Sequence, residues 1–467
     1  MTPVSPGRGK ETGIVFTFVF MMKENRIRNL VFLCCLFTVP ALSQDSVNQK
    51  LPVKWDLQTC IDYANKNNIQ LNTLRLSQQI NKQDLLLAKA AVYPNLFGTI
   101  GQNFTHSTNA NPVVGGYATQ SSFASAYSLT SSWTVYNGGY LKYNIKLQDL
   151  NLNEAGLNVE QTVNSLTLEI TQDFLNVLLA KENIVYVEYL VKTSQAQLEQ
   201  GQEQYRAGSI AKNALVELEA QTATDKYNLV SAQSAYRQNL LSLKQLLQLP
   251  WTFSLEIAIP DTIIATALAP SLDIVQSAAL SQRPEIKYAE TGVRIAEMNL
   301  KMARAQELPV VSIGSTVASG YSNNQSVDYL KQLDYNFYQR IGLSVSIPIF
   351  NNRIYRTQVE INKIEIDQAN LSLLGAKTTL SQEVEQAYIN VLNAQAQYDA
   401  ATVQLKASQE AYRVAGEEFK VGAANLVDLL QQKNLYIQAL QGYIQAKYTA
   451  ALNIEVYNFY RGVPVKL

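Results

Sequence analysis

The chain has 467 residues, enough for two or three ordinary domains, and its 38 Lys+Arg are balanced by 38 Asp+Glu. Charged residues make up only 16% of it, against about 25% in a typical globular domain. That balance argues against a nucleic-acid binder, which concentrates cations to neutralise phosphates.

The N-terminus reads as a targeting segment. Lys23, Arg26 and Arg28 precede an apolar run, Leu30 to Val39, and Ala41-Leu42-Ser43 offers the small-x-small pattern of a cleavage site. A leader spanning 1–43 is predicted, with Met22 as the natural start and Gln44 as the first mature residue. The apolar run is too short to cross about 30 Å of hydrocarbon as a helix. Phe32-Leu33 before Cys34 argues against a lipid anchor on Cys34 or Cys35, and cleavage leaves Cys60 as the single cysteine. No later apolar run reaches 18 residues, so the mature chain crosses a membrane only as a closed barrel, if at all.

Two halves follow, related by a fixed offset. Tyr205-Arg206-Ala207-Gly208 returns as Phe419-Lys420-Val421-Gly422, and Asn176-Val177-Leu178 as Asn390-Val391-Leu392, each 214 residues on (205 to 419, 176 to 390). The spacing predicts a first repeat over 44–250, a linker over 251–271 and a second repeat over 272–467. Each repeat opens with a helix, Leu57 to Ala91 or Leu272 to Glu307, closed by Pro94 or Pro309. A strand pair comes next, about 96–136 and about 309–350. Ile341, Leu343, Val345, Ile347 and Ile349 alternate with Gly342, Ser344 and Ser346, and Tyr127, Leu129, Trp133 and Val135 alternate with Ser128, Thr130, Ser132 and Thr134. Strands of about ten residues, apolar on one face and small and polar on the other, match barrel-spanning strands. Polar loops are predicted from Ser107 to Ser125 and from Gly320 to Gln339.

Long helices follow, Leu141 to Arg206 and Tyr355 to Lys420, without proline. At 1.5 Å per residue each spans on the order of 100 Å. Ile170, Val177, Ile184 and Val191 recur every seventh residue, as do Val384 and Val391, which implies coiled-coil-like wrapping. Turns at Gly208-Ser209 and Gly422-Ala423 end them, glycine supplying the left-handed residue after a helix. Return helices run from Ala211 to Leu247 and from Asn425 to Tyr460, and the linker, with Pro260 and Pro270, forms a short strand or collar.

Four strands cannot close a membrane barrel, since the smallest has about eight. Several chains must therefore share one: two give eight strands and a filled interior, three give twelve and a hole. Here the chain resembles the TolC-like outer-membrane efflux proteins. Leu280-Ser281-Gln282-Arg283-Pro284-Glu285-Ile286, Ala303-Arg304-Ala305 and Leu308-Pro309 look like the opening of that family's second repeat. Asn68, Ala88-Lys89-Ala90 and Tyr93-Pro94 look like the first, and Ile347-Pro348-Ile349-Phe350-Asn351 like its strand-to-helix passage. The resemblance covers about residues 55–464. It implies an α+β membrane protein: a homotrimer in the outer membrane, its twelve-stranded barrel facing lipid and its helical tunnel in the periplasm. It further implies docking to a periplasmic adaptor and an inner-membrane pump, in efflux or type I secretion. The alternative is a trimeric coiled-coil fibre or scaffold with no open lumen.

The resemblance also implies site residues. The tips Gly208, Ser209, Gly422 and Ala423 would meet the adaptor. Asp428 would line the closed periplasmic mouth, weakened by Gln431 one turn on, while Ala214 and Ala424 replace the family's polar latch positions. Tyr136, Tyr140, Phe350 and Tyr355 fall where strands become helices, as in an aromatic belt, and Asn137-Gly138-Gly139 and Asn351-Asn352 make the swivel. No catalytic residue, cofactor or metal site is predicted. His106 is the only histidine and reads as a surface residue near a strand end, and no Walker loop, HExxH or CxxC pair occurs.

Overall fold

The computed structural model of the chain describes residues 54–110, 115–260, 263, 265 and 270–465; the predicted leader lies outside them. Among the described residues there are nine helices and four strands.

Asp56 caps the first helix, α1 (Leu57–Asn67), accepting the Thr59 N–H at 2.7 Å. The single helix expected over 57–91 is in fact two. Asn68 is extended (ψ 126°), and its side chain accepts the Leu71 N–H at 3.0 Å to start α2 (Ile69–Ala90). The helix expected over 272–307 is likewise split into α5 (Leu272–Gln282) and α6 (Pro284–Ala305). The residue before a proline is pushed out of the helical region, and Arg283 (ψ 136°) obeys that rule, leaving Pro284 as the first residue of α6.

Four strands form one antiparallel meander: β1 (Phe97–Ala110), β2 (Tyr117–Asn137), β3 (Val310–Ser322) and β4 (Tyr338–Ser346). The expected loops are shorter than predicted. Ser107 pairs with Gln120 and Thr108 with Thr119, whose hydroxyls meet at 2.8 Å, so the first hairpin keeps its ladder to Ala110. Polar side chains on both faces hid this stretch from a periodicity argument. Within Gly320 to Gln339 the chain builds a helix, α7 (Tyr329–Tyr335), which Asp328 caps. β4 stops at Ser346, so Ile347 and Ile349 fall outside it, and Pro348 has no N–H to continue a ladder. The register places Ile100, Tyr127, Leu129, Val317, Ile313 and Leu343 on one face. Thr99, Ser128, Thr130, Thr316, Gly314 and Gly342 share the other.

Below the sheet the helices come in matched lengths: α3 (Tyr140–Arg206) and α8 (Ile354–Lys420) have 67 residues each, and α4 (Lys212–Leu246) and α9 (Leu426–Tyr460) have 35 each. α2 and α4 both pack along α3, and α6 and α9 along α8, while α3 meets α6 and α9. α2 and α4 stand end to end, the Ile69 N–H donating to Gln248 Oε1 at 3.0 Å. The result is a palisade four helices wide: α2 over α4, then α3, then α6 over α9, then α8.

Its core is a thin seam. Val275, Ala279 and Ile286 meet Leu380, Val384, Val391 and Tyr457 where the upper and lower tiers join. Of the seven-residue series, Ile170, Val177 and Val191 are buried but Ile184 is only half-buried, Val187 taking the inward position. The linker adds one strand bridge, Trp55 to Ile257, a collar fragment beside α1. No described helix is long and apolar enough to cross a membrane.

Candidate functional site

At both passages from sheet to palisade the backbone takes two successive left-handed residues. Gly138 (φ 66°) and Gly139 (φ 86°) link β2 to α3, and Asn137 Oδ1 accepts the Leu141 N–H at 3.4 Å. A Cβ on Gly138 would lie 2.5 Å from the Ala305 carbonyl oxygen, so glycine is needed there for space as well as conformation. The second passage uses Asn352 (φ 52°) and Arg353 (φ 68°). Asn351 opens this turn, its carbonyl accepting the Ile354 N–H at 3.0 Å. Tyr136 and Phe350 are exposed and Tyr140 and Tyr355 half-buried at this level, beside Trp133, whose Nε1 donates to the Val92 carbonyl at 2.8 Å. Pro94 and Pro309 precede β1 and β3, and Asn95 Oδ1 accepts the Ser132 N–H at 2.7 Å.

The opposite ends of α3 and α8 are built alike. Gly208 (φ 74°) and Gly422 (φ 77°) follow the last helical turn. The Gly208 N–H donates to the Tyr205 carbonyl at 3.0 Å and the Ser209 N–H to Gln204 at 2.8 Å; the Gly422 N–H donates to Phe419 at 3.2 Å and the Ala423 N–H to Glu418 at 2.8 Å. Both are the Schellman pattern. All four tip residues are exposed. Asp428 stands in the first turn of α9, its N–H capped by Asn425 Oδ1 at 2.9 Å. Asp428 and Gln431 lie on the exposed side of α9, and Gln431 shares a groove with Asn434, Gln438 and Glu217 of α4. His106 is exposed within β1, its Nδ1 at 2.8 Å from Ser121 Oγ.

Sequence reasoning missed two polar ties between the hairpins α3–α4 and α8–α9. Lys433 of α9 and Asp225 of α4 are 0% and 1% exposed, with Nζ 2.6 Å from Asp225 Oδ2 and 2.6 Å from Ser194 Oγ of α3. Ser194 also donates to Asp225 Oδ2, and Gln221 Nε2 donates to Asp225 Oδ1 at 2.9 Å. Farther up, Lys447 Nζ lies 3.0 Å from both Glu182 oxygens and the Tyr448 hydroxyl donates to Glu182 at 2.7 Å. Burial, then the Glu182 carboxylate, push the Tyr448 hydroxyl well above the usual phenol range. The available signal was phase. Lys433 continues the buried series Leu426, Leu429, Tyr436 and Leu440, where a charge demands a partner.

Comparison with known proteins places the chain as a whole in one group. A family described as "Outer membrane efflux protein" matches residues 60–248 and 275–454. The outer membrane protein TolC of Vibrio cholerae is 20% identical over 405 residues, covering 85% of this chain and 89% of that one. The pyoverdine export outer membrane protein OpmQ of Pseudomonas aeruginosa is 22% identical over 389 residues, 79% and 80% of the two chains. The solved structure of CusC superposes with a TM-score of 0.75 at 20% identity, covering 89% of this chain and 94% of CusC.

Proposed function

From the premise that this chain belongs to the outer membrane efflux protein family, an export duct of the outer membrane with a periplasmic helical tunnel, we propose that three copies close one twelve-stranded barrel above a twelve-helix tube. The observation that carries this reading is a pair of complementary open edges. β1 and β4 each have one unpaired edge, and an open edge does not persist in lipid. β1 continues from α2, which bears the exposed stripe Ile69, Leu76, Ile80 and Leu87; β4 continues into α8, which bears Ile354, Ile361, Ile364 and Leu371. The seven-residue steps of these stripes, broken by one of four in α2 and one of three in α8, are those of helices seeking a partner. Joining β4 and α8 of one copy to β1 and α2 of the next buries both stripes and both edges, and three such joins make a ring with a lumen.

In that ring the apolar sheet face meets lipid and the Ser, Thr and Gly face lines the pore. The equal lengths of α3 and α8, and of α4 and α9, support two pseudo-symmetric repeats over 44–250 and 272–467 joined by the 251–271 linker. The tips at Gly208-Ser209 and Gly422-Ala423 are the docking points for a periplasmic adaptor coupled to an inner-membrane pump, and cargo is selected there rather than in the duct. Three Asp428 carboxylates, with Gln431 one turn above, form the mouth of the resting tube. Members of the family are channels rather than enzymes, and the duct is passive.

Planar-bilayer conductance of the purified protein, wild type beside Asp428→Asn, tests this. Small cation-preferring steps are expected, with the preference reduced in the variant. A folded trimer that conducts nothing, even after tip substitutions that loosen it, would sink the duct. Steps unchanged by Asp428→Asn would discard the mouth assignment alone.

A further inference from the structure

The segment between β3 and β4 does not stand off into solvent. α7 lies back on the sheet and is tied to it by four contacts. Ser319 Oγ donates to the Leu333 carbonyl at 2.5 Å, the Ser322 N–H donates to Gln332 Oε1 at 2.9 Å, and Asn336 Nδ2 donates to the Gly320 carbonyl at 2.8 Å. The Tyr127 and Tyr329 hydroxyls are 2.9 Å apart. The Gln332 side chain is buried in this joint, while Leu330 and Tyr335 point away from it. Tyr127 pairs directly with Ser319 in the ladder, and both share a face with Leu129 and Val317. The strap therefore sits on the apolar, lipid-facing side of the sheet and not over the lumen.

Directly below it is a recess of about 460 Å³, lined chiefly by Ile100, Tyr127, Leu129, Val317, Ser319 and Phe337. That size falls in the about 300–1,000 Å³ range of ligand pockets. Its depth in the bilayer follows from the strands. β2 runs nine residues from Tyr127 to Tyr136 (127 to 136), roughly 30 Å along the strand and somewhat over 20 Å after tilting, which fills the about 25 Å apolar band of an outer-membrane barrel. With Tyr136 at the periplasmic interface, the Tyr127–Tyr329 pair stands at the outer one, where aromatic hydroxyls meet head groups. The recess then opens at the level of the outer-leaflet acyl chains.

We propose that this recess is a binding site for one acyl chain of an outer-leaflet membrane lipid, seated between the strands and Phe337 with its polar end at the Tyr127–Tyr329 hydroxyl pair. A flat barrel wall touches a lipid chain from one side only. Here the chain meets the sheet on one side and Phe337 on the other, so more of each methylene leaves contact with mobile lipid, and the two hydroxyls fix where the head group stops. The site rests on the barrel reading above, which sets the lipid-facing side.

The test is native mass spectrometry of the purified, delipidated protein titrated with lipid A, because one spectrum reports the oligomer and its adducts together. Wild type is expected to appear as trimers carrying up to three lipid A molecules. Ile100→Trp, which fills the recess, and Phe337→Ala, which removes its far wall without adding bulk, are each expected to weaken retention about tenfold. Leu343→Trp, on the same apolar face but six residues along the chain from Phe337 (337 to 343), roughly 20 Å toward the periplasmic end, is expected to leave it unchanged. Bare wild-type trimers would overturn the site and leave the duct standing. So would adducts that persist in both recess variants, or that fall equally in Leu343→Trp, since either marks ordinary surrounding lipid. Failure to find any trimer would strike the barrel reading itself, and the site with it.

Discussion

Glycines 208, 422 and 138 share a left-handed backbone but differ in surroundings. Nothing lies within 4 Å of a Cβ built on Gly208 or Gly422, whereas Gly138 faces the Ala305 carbonyl. Gly208→Ala and Gly422→Ala should each cost about 1–2 kcal/mol from backbone strain alone, a small shift in the melting curve. Gly138→Ala adds a clash and should prevent the trimer from forming at all, read by native electrophoresis. Lys433→Met would strand the Asp225 carboxylate in the seam and destabilise by about 3–5 kcal/mol, and adding Asp225→Leu should recover most of that in thermal unfolding. Burial pushes the Cys60 thiol up to about 12, so it is mostly protonated at pH 8 and should resist iodoacetamide until the protein unfolds. A labelling rate equal to that of the denatured chain would contradict this. The tip glycines were legible because they repeat at one offset. Lys433 and Asp225 were not, because their pairing spans 208 residues and only the fold brings them together.

Among elements, the long helices were the most legible, since a proline-free run of such length with seven-residue spacing admits few alternatives. Breaks were harder to see. Pro284 marks the start of α6 plainly, but the Asn68 break lies inside a pattern that reads as helix on both sides, and only its capping bond to Leu71 reveals it. Asn68→Ala should cost about 1 kcal/mol through the lost cap, with little change in total helicity by circular dichroism. α7 escaped notice because seven residues carry too little periodicity, and its partners Ser319, Gly320 and Ser322 belong to a strand. The extension of β1 and β2 past the alternating stretch was hidden for a related reason: both faces carry polar residues there, so alternation fades while the ladder continues.

For the whole molecule, a single chain leaves much of its apolar surface uncovered, in rows that match across the seam. In the proposed ring those rows would be covered by the neighbouring copies, and stability would then gain a dependence on chain concentration. Ile80→Asp with Leu371→Asp should abolish the trimer while sparing the helices of the isolated chain, visible as lost oligomer on native gels at unchanged circular dichroism. Persistence of the trimer would show that the seam runs elsewhere. The broad architecture was readable because strand pattern, helix length and duplication agree, whereas the partner surface became readable only once the helices had an order.

That order has a mechanical side. In each half of the palisade an unbroken 67-residue rod runs beside a jointed one, whose upper strut of 22 residues meets a lower strut of 35. The upper struts are about 33 Å long and the lower about 52 Å. The jointed member carries no bending load across its gap, so the wall is most compliant at that height and stiffer above and below. A sideways push at the tips turns the lower tier about this waist and dies out there. The four-stranded sheet, one upper strut away, is shielded from whatever leverage is applied at the far end.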